Sequence, residues 1–194
     1  MEGEFRLLTA DEMAQVYHQH MKYDFPPDEL KPLKRLQTML ASGHYAPYAL
    51  LREGEVVSYA FYWTAGDSYV MLDYFAVVRA HRNRGVGGEL LREMLERFCV
   101  DGKGVYGEVE MPISGDPEVD ALRNRRLNFY LRNGMRKAGF YTKIFGVPYV
   151  MICHGPEIEP QDLMEVDRKI YRSALTTAMY EKNVFIPWTP EVEP

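Results

Sequence analysis

Cysteine and tryptophan are scarce in this chain of 194 residues, with two of each, and no uninterrupted apolar run approaches the length of a membrane helix. The absence of a run of about 20 apolar residues excludes a helical membrane span, and no basic segment followed by an apolar one marks the start as a secretion signal. Cys99 and Cys153 fall in segments that read as helix and strand interiors, where a free thiol behaves as a small hydrophobe, so a reducing cytoplasm is expected. Positive charge is also in deficit. Lys and Arg number 23 against 28 Asp and Glu, a formal net charge of -5, which argues against nucleic acid and for a cationic small molecule or peptide as partner. His18 and His20 lie two apart in a helical stretch, whereas metal ligands on one helix face stand four apart. His44, His81 and His154 are scattered, so no metal is expected.

What is present is 46% hydrophobic residue content with 26% charged, enough for one well-buried core, and a single domain over residues 1–194 is expected. Thr9 stands three residues ahead of Glu12, the signature of a capped helix start, and helix is expected from about Asp11 to Met21. A second helix follows Phe25-Pro26-Pro27-Asp28-Glu29, with apolar Leu33, Leu36, Met39 and Leu40. From His44 the period changes. Strands are expected over His44 to Arg52, Val56 to Thr64 and Tyr69 to Val78, with turns at Glu53-Gly54-Glu55 and Gly66-Asp67-Ser68. A polar loop then leads into a helix bearing Leu90, Leu91, Met94, Leu95 and Phe98. Val105 to Met111 reads as a strand, and Pro112 to Val119 as an irregular insertion broken at Gly115-Asp116-Pro117. Helix returns from about Asp120 to Asn133 and stops at Gly134. Residues 138–145 and 147–154 pair as strands, Pro160 to Tyr180 forms a last helix, and Phe185 to Pro194 is irregular. The pattern is that of a mixed α/β (α+β) domain, preceded by a short strand at Phe5-Arg6-Leu7-Leu8.

The loop Arg82-Asn83-Arg84-Gly85-Val86-Gly87-Gly88 is the most informative segment. Free amides at a helix start, the helix dipole and missing side chains together suit a phosphate. Alone such a loop is as consistent with a simple turn. Gly85-x-Gly87 lacks the third glycine of a dinucleotide fingerprint, and no glycine-lysine-Ser/Thr run makes a Walker loop.

Arg82 to Gly87 matches the [Gln/Arg]-x-x-Gly-x-[Gly/Ala] signature of the GNAT acetyltransferases. Upstream, Leu72-Asp73-Tyr74-Phe75-Ala76-Val77 resembles that superfamily's fourth strand. Downstream, Phe129-Tyr130-Leu131-Arg132-Asn133-Gly134-Met135 resembles its Phe-Tyr-x-x-x-Gly-Phe element, with Met in the last place. The resemblance covers roughly residues 4–154 and implies a central, mostly antiparallel sheet with splayed fourth and fifth strands and helices on both faces. It implies acetyl-CoA as co-substrate, its pantetheine and thioester lying along the backbone of Phe75, Ala76 and Val77. Its pyrophosphate would lie against the amides of Arg82, Asn83, Arg84, Gly85, Val86, Gly87 and Gly88, with Arg82 and Arg84 adding charge and Asn124 as a further contact. It also implies Tyr130 as general acid toward the departing thiolate.

For the base, strand alternation puts Glu108 and Glu110 on one face, opposite Gly107, Val109 and Met111. Glu108 resembles the glutamate of ribosomal-protein N-terminal acetyltransferases, and Asp73 is the third candidate, or else a partner for the acceptor's ammonium. Phe25 to Glu29 resembles a segment of a group of uncharacterised bacterial GNAT proteins and lies where the superfamily's first helices line the acceptor cleft. Three readings remain open: an acetyltransferase acting on a primary amine of a small molecule or peptide, a non-catalytic acyl-CoA-binding or sensing module, and an enzyme with the same cradle that transfers another acyl group or acts on a protein amine. The final helix and tail are expected to cover the acceptor cleft or to mediate a homodimer.

Overall fold

The computed structural model describes residues 3–27, 29–64 and 68–190. Asp28, most of the turn expected at Gly66-Asp67-Ser68 and the last four residues of the tail lie outside them. The chain forms two compact units, residues 1–65 with 72–97, and residues 66–71 with 98–194.

The first unit opens with β1 (Glu4–Leu7), α1 (Ala10–Val16), a π-helical turn (Tyr17–Met21) and α2 (Lys22–Asp24). Thr9 and Glu12 form the expected reciprocal cap: the Glu12 amide donates to Thr9 Oγ1 at 3.2 Å, and the Thr9 amide donates to Glu12 Oε2 at 2.8 Å. The Arg6 guanidinium, hydrogen-bonded to the same carboxylate, pulls Glu12 down to about 2. Then follow α3 (Leu33–Ala41), β2 (Tyr45–Arg52), β3 (Glu55–Trp63), β4 (Tyr69–Val77) and α4 (Val86–Phe98). The meander is formed as expected, with β1 antiparallel to β2 and β2 antiparallel to β3. Alternating apolar residues of these strands meet Met13, Met21 and Leu36 of the helices around Tyr59, Phe61 and Tyr74, all buried. That core fixes the strand ends from which the loop to α4 departs.

The second unit contains β5 (Gly104–Glu110), α5 (Pro117–Arg132), β6 (Arg136–Ile144), β7 (Val147–His154), α6 (Pro160–Ala174), α7 (Thr177–Asn183) and β8 (Val184–Phe185). β5 and β6 each pair antiparallel with β7, and β8 with β6. Among the described residues eight strands follow the order β1-β2-β3-β4 in the first unit and β4-β5-β7-β6-β8 in the second. β4 itself is divided, its residues 69–71 belonging to the second unit and 72–77 to the first.

Three sequence expectations are corrected. Gly115-Asp116-Pro117 starts α5 rather than breaking an insertion: Asp116 Oδ1 accepts from the Glu118 and Val119 amides at 2.9 and 3.3 Å, and proline takes the first helical position, where its missing N–H costs nothing. The last helix is two helices, because Leu175 turns extended and Thr176 caps α7. The tail is not irregular throughout, since Val184 and Phe185 add an edge strand opposite Ile144 and Lys143.

Candidate functional site

In the first unit, the backbone after β4 makes a short 3-10 turn at Arg79–His81 and enters the loop. Asn83 (φ 61°) and Gly85 (φ 79°) both occupy the left-handed region. Glycine carries no penalty there, and asparagine tolerates it better than most residues. A Cβ on Gly85 would meet nothing within 4 Å, so conformation rather than crowding sets that glycine. The Glu89 amide bonds to Gly85 O at 3.2 Å, which leaves the amides of Val86, Gly87 and Gly88 ahead of it as the orphan donors of the helix start. Val86, Leu90, Leu91 and Met94 are buried and set the direction of α4. Glu89 turns its carboxylate to Arg52, in direct contact with it.

The two loop arginines differ. Arg84 is exposed. Arg82 is committed: its Nε donates to Val77 O at 3.0 Å and its Nη2 to Asp24 Oδ1 at 2.6 Å, while Tyr59 OH donates to Asp24 Oδ2 at 2.9 Å. The Asp24 side chain is only 5% exposed, whereas that of Arg82 is 43% exposed. Arg82 therefore ties the loop to the end of β4 and to α2. One lone pair of the Val77 carbonyl is likewise taken by it.

Phe75, Ala76 and Val77 are half-buried at the end of β4. Asp73 accepts from Lys31 Nζ at 2.7 Å and from Tyr45 OH at 2.6 Å. Next to it, Tyr74 OH receives the Lys31 amide and donates to Glu29 O, while its ring meets Phe25 edge-on at 4.9 Å. Burial pushes the Tyr74 phenol up to about 12. The Phe25 segment is thus pinned to β4, a link the sequence did not announce.

In the second unit, the expected alternation along β5 is present: Gly107 and Val109 are buried, and Glu108 and Glu110 are less so. The two carboxylates meet different partners. Glu110 is clamped by α5, with Arg123 Nη2 at 2.6 Å and Arg126 Nη1 at 2.7 Å. Glu108 accepts from Tyr171 OH of α6, which lies 3.0 and 2.8 Å from its two oxygens. Tyr130 is buried on α5, its ring edge-on to Phe129 at 5.2 Å. Burial raises its phenol well above the ordinary range despite the opposing charge of Arg126. Asn124 is exposed, and six residues of helix place it about 120° around α5 from Tyr130.

Sequence inspection overlooked Asp167, which is fully buried on α6 and accepts from Tyr106 OH at 3.1 Å. Among the described residues its Oδ2 has no hydrogen-bond partner. Burial pushes the carboxyl up to about 7, against the pulls of the Tyr106 hydrogen bond and the Arg168 charge. An unfolded aspartate titrates near 4, so between about pH 4 and 7 the folded chain keeps a proton that the unfolded chain has released. Stability from this group is full below that window and falls as pH rises through it. Asp167→Asn is expected to flatten that slope in urea unfolding and to be the more stable form at pH 8 by roughly 1–3 kcal/mol; an unaltered slope would show that Asp167 is not its source.

The fold is that of an acyltransferase. Residues 12–135 match the model of the Acetyltransferase (GNAT) family, and the chain belongs to that family. No curated protein matches the sequence. Among solved structures, the chain is similar to a GNAT-family protein from Bacteroides thetaiotaomicron, at 21% identity and a TM-score of 0.72, covering 87% of this chain and 96% of that one. It is also similar to the ribosomal-protein alanine N-acetyltransferase from Escherichia coli, at 16% identity and a TM-score of 0.55, covering 81% and 97%. A third is an aminoglycoside N-acetyltransferase complexed with coenzyme A, at 12% identity and a TM-score of 0.57, covering 80% and 99%. At these identities the likeness is one of fold. No helix among the described residues is long and apolar enough to cross a membrane.

Proposed function

We propose that the chain works as one acetyltransferase domain, an acetyl-CoA-dependent N-acetyltransferase acting on a primary amine of a small molecule or peptide. The observation that carries this is the start of α4, where three amides precede the first helical hydrogen bond and a left-handed asparagine and glycine turn the backbone into them. Such amides favour a pyrophosphate through direct hydrogen bonds and the helix dipole. Residues 83–88 supply that cradle, with Arg84 adding charge from the exposed side of the loop, and the backbone of Phe75 to Val77 receives the pantetheine arm.

Of the three carboxylates, Glu108 suits a base best. Glu110 and Asp73 are each held in ion pairs by cationic side chains, Arg123 and Arg126 for the one and Lys31 for the other. Glu108 accepts from a neutral phenol, whose one hydroxyl is shared between its two oxygens. In this scheme Glu108 accepts a proton from the acceptor ammonium, the freed nitrogen attacks the thioester carbonyl, and Tyr130 gives its proton to the departing thiolate. No covalent enzyme intermediate forms. A cytoplasmic setting accords with Cys99 and Cys153 standing as free thiols.

Thiol release from acetyl-CoA across a panel of amines tests the proposal. At least one amine is expected to be consumed in step with the thiol; coenzyme A binding with no amine consumed would instead mark a sensing module. A finer check concerns Asp24. Asp24→Asn removes the charge that anchors Arg82 and is expected to weaken coenzyme A binding about tenfold, as a lost charge-assisted hydrogen bond implies, measured by titration calorimetry. An unchanged affinity would mean that the loop holds its shape without Asp24.

A further inference from the structure

We propose that α6, which lies beyond the residues matched by the family model, is part of the proton-accepting apparatus, and that its Tyr171 is a positioning residue for Glu108. The inference rests on the assignment of Glu108 as base.

The geometry is that of two crossed pairs. The strand offers a phenol at Tyr106 and a carboxylate at Glu108, while the helix offers a carboxylate at Asp167 and a phenol at Tyr171. Four residues of helix advance about 6 Å and two residues of strand about 6.6 Å. Each phenol therefore meets the opposite carboxylate without strain in either element. Leu163, Asp167 and Ile170, spaced on one helical face, are all buried and fix the helix in this register. A surface helix merely covering the sheet has no use for a buried acid at its centre. Two matched phenol-carboxylate pairs instead set both the axial position of α6 and the orientation of Glu108.

Burial, and then the charge of Glu108, hold the Tyr171 hydroxyl protonated well beyond its ordinary range, so it acts as a permanent donor. A donor aimed at a carboxylate favours the charged form, the form a base needs before the acceptor arrives. The groups facing this hydroxyl are Glu108 on β5, Asp167 on its own helix and Tyr149 on β7. Without the hydroxyl, Glu108 loses the donor shared between its two oxygens and part of the stabilisation of its charge. Its carboxyl then holds a proton to higher pH.

The test compares Tyr171→Phe, Glu108→Gln and the double variant in the full chain, following kcat/KM against pH, coenzyme A affinity and thermal stability. Tyr171→Phe is expected to leave coenzyme A affinity unchanged, to lower kcat about tenfold at neutral pH and to move the acid limb of the profile up by about one pH unit, the size of one lost hydrogen bond to a charged group. The double variant is expected to be no worse than Glu108→Gln alone, because the two residues act as one unit. An inactive Glu108→Gln beside an unshifted Tyr171→Phe profile would overturn the role of Tyr171 and leave Glu108 as base. Wild-type turnover in Glu108→Gln would overturn both. Should Tyr171→Phe fail to fold, a fluorinated tyrosine at 171 keeps the shape while strengthening the donor, and the limb must then move to lower pH; a limb that stays in place overturns the proposal.

Discussion

Tyr130→Phe is expected to lower turnover at least about a hundredfold, the lower end of what a positioned acid contributes, while coenzyme A affinity stays where it was. The expectation follows from what burial does to this phenol. Desolvation disfavours the phenolate, so the hydroxyl keeps its proton throughout the neutral range. Such a group makes a poor base and a dependable acid. Phenylalanine retains the ring, and with it the edge-on contact to Phe129. The variant should therefore melt within a few degrees of the parent, and the loss should fall on kcat rather than on binding. Turnover equal to the parent would return Tyr130 to the role of an aromatic residue that packs α5. Because the group does not titrate near neutrality, it adds no alkaline limb below about pH 10.

The second large effect is one of stability. Glu110→Ala is expected to destabilise the fold by about 3 kcal/mol, as removing one partner of a shielded ion pair does, and to lower the melting temperature by roughly 6–12 °C. Glu110 bridges Arg123 and Arg126, and Arg123 also donates to Met111 O at 3.2 Å, so the alanine variant leaves two guanidinium groups facing each other at the junction of β5 and α5. Calorimetry reads the loss directly. Activity gives the contrast: below its melting point the variant should keep kcat within about threefold, because this carboxylate is engaged by two arginines of α5 in a structural clamp. A collapse of kcat without a change in melting temperature would reverse the assignment and make Glu110 the base. The two variants thus separate a chemical role for Tyr130 from the structural clamp that Arg126, four residues earlier on the same helix, makes with Glu110.

The features legible in the sequence are those whose causes are local. The Thr9–Glu12 cap spans three residues, and the left-handed loop shows itself through Asn83 and Gly85. The meander announces itself through period and turn residues. Even local letters can be ambiguous, since Asp116-Pro117 serves as a breaker or as a cap according to whether the chain continues in helix. Side-chain commitments across the fold were not legible. Asp24 reaches Arg82 over 58 residues and Tyr171 reaches Glu108 over 63, and neither carries a local signature. Strand alternation makes both glutamates of β5 candidates for the base. Their different partners, arginines for one and a phenol for the other, emerge only once β5 is packed against α5 and α6.

The anchoring of Arg82 carries a consequence for sequence variation. The first position of the loop signature admits glutamine as well as arginine, and either side chain has a donor for the Val77 carbonyl. Only arginine also brings a charge for the acid at position 24. The two positions should therefore drift together: chains with glutamine at the loop would have no need of aspartate at the end of α2, where an uncompensated buried charge is costly. Arg82→Gln alone should be worse than Arg82→Gln joined with Asp24→Asn, a compensation between residues that no alignment of adjacent letters would reveal.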